Sequence, residues 1–287
     1  MFPTIFELSS IFFNEQECLK FLFDKGILYK DRLCPKCRIK MFLEGELWRC
    51  RKRGCRRTVS IYDKAFFSGY KLKPNEILLL TYLWLAGDTR NQIMKKTGHS
   101  ENTVTDYLNV FRDLVAGYVN DCDQMIGGDD IIVEIDESKF GKRKYNKGHR
   151  VEGVWVFGGV ERTPERRMFA CAVPDRSEKT LLDIIRRFVK PESRIFSDCW
   201  AAYNNAKKKL RLDHQTVNHS KHFKDPDSGV HTNTIEGNWN GIKMAISPRN
   251  RTADHIDDHL HEFIWRRQNS EDLWGAFIQC LVDSEFF

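Results

Sequence analysis

The sequence has 287 residues, with 46 Lys plus Arg against 40 Asp plus Glu, for a formal net charge of +6. Its 41% hydrophobic content, including 20 Phe and 7 Trp, excludes a disordered chain, and no uncharged apolar run approaches the roughly 18 residues that a membrane span needs. At roughly 150 residues per domain, the length predicts about two domains, each able to bury a core without disulfide staples.

The first 29 residues read as an N-terminal helical segment. MFPTIFELSSIFFNEQE is apolar but has no basic stretch and no small-residue cleavage site, so it does not read as a signal peptide. Charge is concentrated in the next segment. Residues 30–73 hold 14 basic and 4 acidic side chains, a local +10 that leaves −4 for the rest. A basic block on a mildly acidic body suggests an arm that meets a polyanion. Inside it lie Cys34-Pro-Lys-Cys37 and Cys50-x4-Cys55. Two close pairs of thiolates can close a tetrahedral shell around structural Zn²⁺, and Trp48 and the turn residues Gly45 and Gly54 suit a small ribbon held by that metal. The second pair is wider than the common Cys-x2-Cys. Arg51, Lys52, Arg53, Arg56 and Arg57 surround it and are candidate phosphate contacts. The other five cysteines are scattered and read as reduced thiols.

Residues 74–120 predict a helix-turn-helix module. Pro74 opens an apolar helical run that ends at Gly87. Thr89 can cap a short helix to about Lys96, Gly98 supplies a turn, and Ser100 caps a longer helix. Val104, Leu108, Phe111 and Val115 of that helix share one face. Its outward residues, Glu101, Asn102, Thr105 and Asn109, are candidates for a DNA groove, with Asn102 and Thr105 the leading pair. NDCDQMIGGDD (120–130) reads as a domain boundary.

From Asp130 the pattern becomes three strands, helix, strand, helix, strand, helix. This is the order of an α/β domain of RNase H-like type, with antiparallel first strands and parallel later ones, over residues 130–250. Three acids stand out in this frame. Asp136 is expected at the end of the first strand, Asp198 at the end of the fourth, and Glu236 on the late helix. Such a trio repels itself unless a divalent cation neutralises it, and Mg²⁺ or Mn²⁺ suits oxygen ligands and phosphoryl transfer. Glu134 and Glu137 read as supporting or surface groups. Lys243, two turns beyond Glu236 on the same helix face, and His219 are candidate phosphate contacts. His255 and His259 are spaced i, i+4 but lack the Glu of a metallohydrolase motif. Residues 251–287 read as C-terminal helices that complete the core or join protomers.

The blocks DESKFGKRKYNKGHRVEGVWVFGG, SDCWAAY and VNHSKHFKDPDSGVHTNTIEGNW resemble the transposases of the Merlin family of DNA transposons and their bacterial insertion-sequence relatives. The resemblance runs from the cysteine pairs to about residue 250. It implies an RNase H-like catalytic domain whose triad is Asp136, Asp198 and Glu236, all three present here. The activity it implies is cut-and-paste transposition. The ribbon and helix-turn-helix would bind terminal inverted repeats, the acids with Mg²⁺ or Mn²⁺ would nick DNA, and the freed 3′-OH would join target DNA. Its partners would be double-stranded DNA and a second copy of the chain or more. The expected location is nuclear in a eukaryote and the nucleoid otherwise. Two other classes fit the same residues: a domesticated DNA-binding regulator, and an RNase H-like nuclease that cuts without joining.

Overall fold

A computed structural model describes residues 1–121, 125–141, 153–217 and 230–284. The chain divides into two compact units. The first is Met1–Tyr118 with Asn269–Phe287, and the second is Val119–Gln268.

The first unit begins with α1 (Ser9–Phe13) and α2 (Glu15–Asp24). Asn14 caps α2, its side-chain oxygen accepting from the Gln16 amide at 2.9 Å. Three short strands follow, β1 (Phe42–Glu44), β2 (Leu47–Arg49) and β3 (Thr58–Ser60), in an antiparallel sheet of that order. Trp48 is its one buried side chain, flanked by buried Met41 and Ile61, too few to hold so small a sheet unaided. Pro74 then opens α3 (Pro74–Leu85), followed by α4 (Arg90–Thr97) and α5 (Glu101–Asp121). Thr89 and Gln92 form a capping box on α4, and Gly98 ends it at a φ of 76°. Ser100 Oγ accepts from the Thr103 amide at the start of α5 (3.2 Å). The boundaries and caps of α4 and α5 follow the sequence pattern, and Val104, Leu108, Phe111 and Val115 are buried.

The second unit contains β4 (Ile132–Phe140), β5 (Val154–Glu161), β6 (Met168–Val173), α6 (Glu178–Phe188), β7 (Arg194–Asp198), α7 (Ala206–Leu210), β8 (Asp213–Val217), α8 (Asn233–Ala245) and α9 (Ile256–Gln268). Its described residues form a five-stranded mixed sheet of order β6-β5-β4-β7-β8. The β6-β5-β4 pairs are antiparallel and the β4-β7-β8 pairs parallel, as the order of predicted elements implies. Val133, Ile135 and Phe157 on one face of the sheet share a core with Leu181, Leu182, Ile185 and Phe188 of α6 and with Tyr203. On the other face α8 lies against β4 and β5, and α9 against β6.

The segment 251–287 is shared between the two units. Ile264 and Trp265 of α9 are buried in the second unit. The last helix, α10 (Leu273–Asp283), places Trp274 against Phe12 and Tyr82, and Phe277 against Trp84 and Phe111, in the first. Among the described residues no helix is long and apolar enough to cross a membrane.

Candidate active site and metal centre

The parallel pairing of β4 with β7 aligns Glu134 with Phe196. Two residues further along each strand stand Asp136 and Asp198, so the register brings the two acids to one level on neighbouring strands. Strand alternation then sets both on the face that α8 covers. Asp198 is the last residue of β7. Asp136 is not at a strand end, contrary to the sequence expectation. It lies at the middle of β4, because β4 stays paired with β5 through Phe140 after β7 has stopped. The site therefore occupies a notch at the carboxyl end of β7, where open α/β sheets characteristically bind ligands.

Glu236 lies in the first turn of α8, and Glu134 determines where that helix sits. Glu134 is fully buried. It accepts from the Thr234 amide (2.8 Å), the Thr234 hydroxyl (2.8 Å) and the Ile235 amide (3.0 Å), which ties the start of α8 to β4. Arg162 Nε donates to the same carboxylate at 2.5 Å, and its guanidinium also reaches the His231 carbonyl at 2.6 Å. A carboxylate at a helix N-terminus satisfies orphan amides and complements the helix dipole. Glu134 is thus an internal clamp. One turn beyond Glu236, Trp239 Nε1 donates to Asp136 Oδ2 at 2.9 Å.

That contact requires Gly158. Gly158 sits directly opposite Asp136 on β5, and a Cβ there would lie 2.7 Å from the Trp239 ring and 2.9 Å from the Phe169 carbonyl. The bare backbone lets the indole lie on the sheet and reach the acid. Neither Trp239 nor Gly158 stands out as a site residue from sequence spacing. The available signal was the unusual Gly-Gly in the middle of an apolar strand.

Burial is the main force raising the Asp136 carboxyl, to about 6. The Trp239 and Glu137 hydrogen bonds oppose it, and the charges of Asp198 and Glu236 add to it. Asp198 and Glu236 are thus close enough for their charges to act on Asp136. Glu137, on the opposite face of β4, is pushed up to about 7. Burial is again the main cause, opposed by the Tyr203 hydroxyl that donates to it at 2.7 Å and reinforced by the charges of Asp136 and Asp198. Asp198 Oδ1 accepts from the Trp200 amide at 2.9 Å, which fixes the turn after β7. Thr232 Oγ1 donates to Glu236 Oε1 at 3.1 Å. Lys243 is half-buried with its ammonium 5.3 Å from the Phe140 ring centre. Burial and Arg251 lower its pKa while Asp136 acts in the opposite sense. His219 lies outside the described residues.

The oxygens of Asp136, Asp198 and Glu236 do not all close within 4.8 Å of one another. Hard oxygen donors in an open arrangement leave coordination positions for water or phosphate, which suits Mg²⁺ or Mn²⁺. The cysteines behave differently. Cys34, Cys37, Cys50 and Cys55 are, among the described residues, the group whose ligand atoms all fall within 4.8 Å. The Cys34–Cys55 and Cys37–Cys50 sulfurs are 3.6 and 3.5 Å apart. Four thiolates about 2.3 Å from a tetrahedral Zn²⁺ would stand about 3.8 Å from one another, so the donor set fits. Burial tends to raise Cys34, but amides at Cys37 and Lys36, with the Cys37 and Cys55 thiols, bring it down to about 6.

The basic candidates of the first unit are on its surface. Arg51, Lys52, Arg53, Arg56 and Arg57 are exposed. Arg51 pairs with Glu44 at 3.2 Å and lies 4.3 Å over the Phe42 ring. Asn102 is exposed, whereas Thr105 is half-buried and accepts from Arg90 at 3.4 Å.

A mixed sheet that sets two acids side by side on β4 and β7, with a cysteine cluster inside the basic segment 30–73 of the other unit, fits a DNA-processing enzyme. Residues 114–268, more than half of the chain, match the model of the ISXO2-like transposase domain, and the chain belongs to that transposase family. It is also 32% identical over 106 residues to an "Uncharacterized transposase-like protein" of Haemophilus influenzae, a match that covers 37% of this chain and 84% of that protein.

Proposed function

We propose that the chain is a cut-and-paste transposase of the DDE, RNase H-like type, as in the Merlin transposases whose motif blocks it resembles. The observation that supports this best is the alignment of Asp136 with Asp198 on adjacent parallel strands, with Glu236 carried on a helix clamped to the same strand by Glu134. Divalent cations bound by these three carboxylates would activate the attacking oxygen and stabilise the leaving one. The chain's own residues supply position and protection. Trp239 and Glu134 hold Asp136 and α8 in place, and the raised Asp136 marks a desolvated site that favours a bound cation over bare charge. Lys243, whose charge Asp136 influences, would meet phosphate.

In this reading Cys34, Cys37, Cys50 and Cys55 hold structural Zn²⁺ in a ribbon spanning residues 30–73. The exposed Arg51, Lys52, Arg53, Arg56 and Arg57 bind the DNA backbone, and α4 and α5 act as a helix-turn-helix with Asn102 outward. His219 and Thr105 remain candidate DNA contacts. Joining two element ends requires at least two protomers on DNA.

The test uses labelled DNA from the sequences flanking the coding region, with a target plasmid, in Mg²⁺ or in a chelator. Nicked and joined products that need Mg²⁺ and vanish in Asp136→Asn are the expected result. Nicking without joining would point to a nuclease, and binding without either product to a regulator. Full activity in Glu236→Ala would refute the triad.

A further inference from the structure

Beyond the carboxyl end of β7, a guanidinium lies against two indoles. Arg176 Cζ lies 3.9 Å from the ring centre of Trp155 and 4.4 Å from that of Trp200. The indole nitrogen of Trp200 donates to the Arg176 carbonyl at 3.3 Å, which fixes the ring over its partner. Lys139 approaches Trp155 as well, at 5.2 Å. Trp200 is two residues past Asp198, whose carboxylate binds its amide. Arg176 is close enough to Glu137 to lower its pKa. Among the described residues no carboxylate lies within ion-pair distance of Arg176 or Lys139.

Trp155 packs against the core of the second unit, but Trp200 is no part of that cluster. Trp200 is 39% exposed, an unusual position for the largest apolar side chain when it fills no cavity. Arg176 covers part of its ring, and the rest of the exposed side chain is unaccounted for by the core. A guanidinium that contacts aromatic rings through its flat face can still donate its N–H groups to a phosphate. An exposed indole beside a guanidinium matches the base and the phosphate of one nucleotide. A base offers its flat face to a side chain only when it has left the duplex stack.

We propose that Trp200 and Arg176, braced by Trp155, form a platform for an unpaired nucleotide next to the bond being cut, with the base on the exposed part of Trp200 and its phosphate on Arg176. This rests on the proposed transposase reading and adds to it that the substrate is held locally unpaired.

The probe is a forked oligonucleotide duplex with one unpaired 2-aminopurine at the junction, compared with the fully paired duplex of the same sequence. Binding of the full chain is followed by fluorescence without added Mg²⁺. Base stacking on an aromatic ring predicts about tenfold tighter binding of the fork, with quenching of the 2-aminopurine. Trp200→Ala should lose the preference and the quenching, and Trp200→Phe should keep most of both. Equal binding of fork and duplex by the wild-type chain overturns the proposal, whether or not Trp200→Ala folds. So does a preference that survives in a folded Trp200→Ala. Nicking is scored separately on the same protein. Fork preference without nicking refutes the catalytic reading alone, and nicking without fork preference refutes the platform alone.

Discussion

Glu134 gives the sharpest test of how the site is built. Glu134→Ala removes a carboxylate that is 0% exposed and accepts from two amides and a hydroxyl of α8 and from Arg162. It leaves the start of α8 uncapped and Arg162, 21% exposed, without its closest counter-charge. Breaking a buried, hydrogen-bonded ion pair from one side costs about 3–5 kcal/mol. For a unit of this size that corresponds to a fall of roughly 6–20 °C in melting temperature. Scanning calorimetry of the full chain reads the shift, and Glu134→Gln, which keeps an acceptor oxygen for the helix amides, should lose less. Because α8 carries Glu236 and Trp239, nicking should fall in parallel with the melting temperature. A Glu134→Ala protein that melts within about 2 °C of wild type would refute the clamp. So would a Glu134→Gln protein that melts normally but has lost all nicking, since that outcome would put Glu134 in the chemistry.

Three further outcomes follow from the same contacts. Asp136 is raised from 3.8 to about 6, so the metal-free folded chain binds a proton there more tightly than the unfolded chain. Its stability should fall as pH rises through that window and stay lower above it, and Asp136→Asn should recover up to about 3 kcal/mol at alkaline pH, measured by melting without divalent metal; equal pH dependence in the variant would count against the assignment. Gly158→Ala forces the Trp239 ring off the sheet, and should cost about 1–3 kcal/mol and lower nicking without altering binding of DNA by the first unit; unchanged nicking rates would show that the Trp239 contact is dispensable. Metal analysis should find about one zinc per chain, lost in Cys50→Ser, with the amide protection of β1–β3 lost alongside it in hydrogen exchange; zinc-free native protein would rule out the ribbon.

Local pattern was enough to identify several parts of this protein. The caps Thr89 and Ser100 and the buried stripe of α5 were legible because capping and helical periodicity depend on residues a few positions apart. The order of strands and helices after Asp130, and with it the mixed sheet, was legible for the same reason. The cysteine spacing gave the cluster, although only the fold shows that the wide Cys50–Cys55 pair brings its sulfurs together with Cys34 and Cys37. Other features depended on contacts distant in sequence. The level of Asp136 and Asp198 is set by the pairing of β4 with β7, and the mid-strand place of Asp136 by how far β5 extends past β7. Glu134 read as either a supporting or a surface group, because the partners that bury it lie 28 and about 100 residues away. The same holds for α9 and α10, adjacent helices whose buried faces belong to different units. Sequence alone determined which residue types were available for carboxylate and thiolate chemistry and which short segments would be helix or strand. Only tertiary structure decided how Asp136, Asp198 and Glu236 are held relative to one another, because strand register and helix docking join residues that share no local pattern.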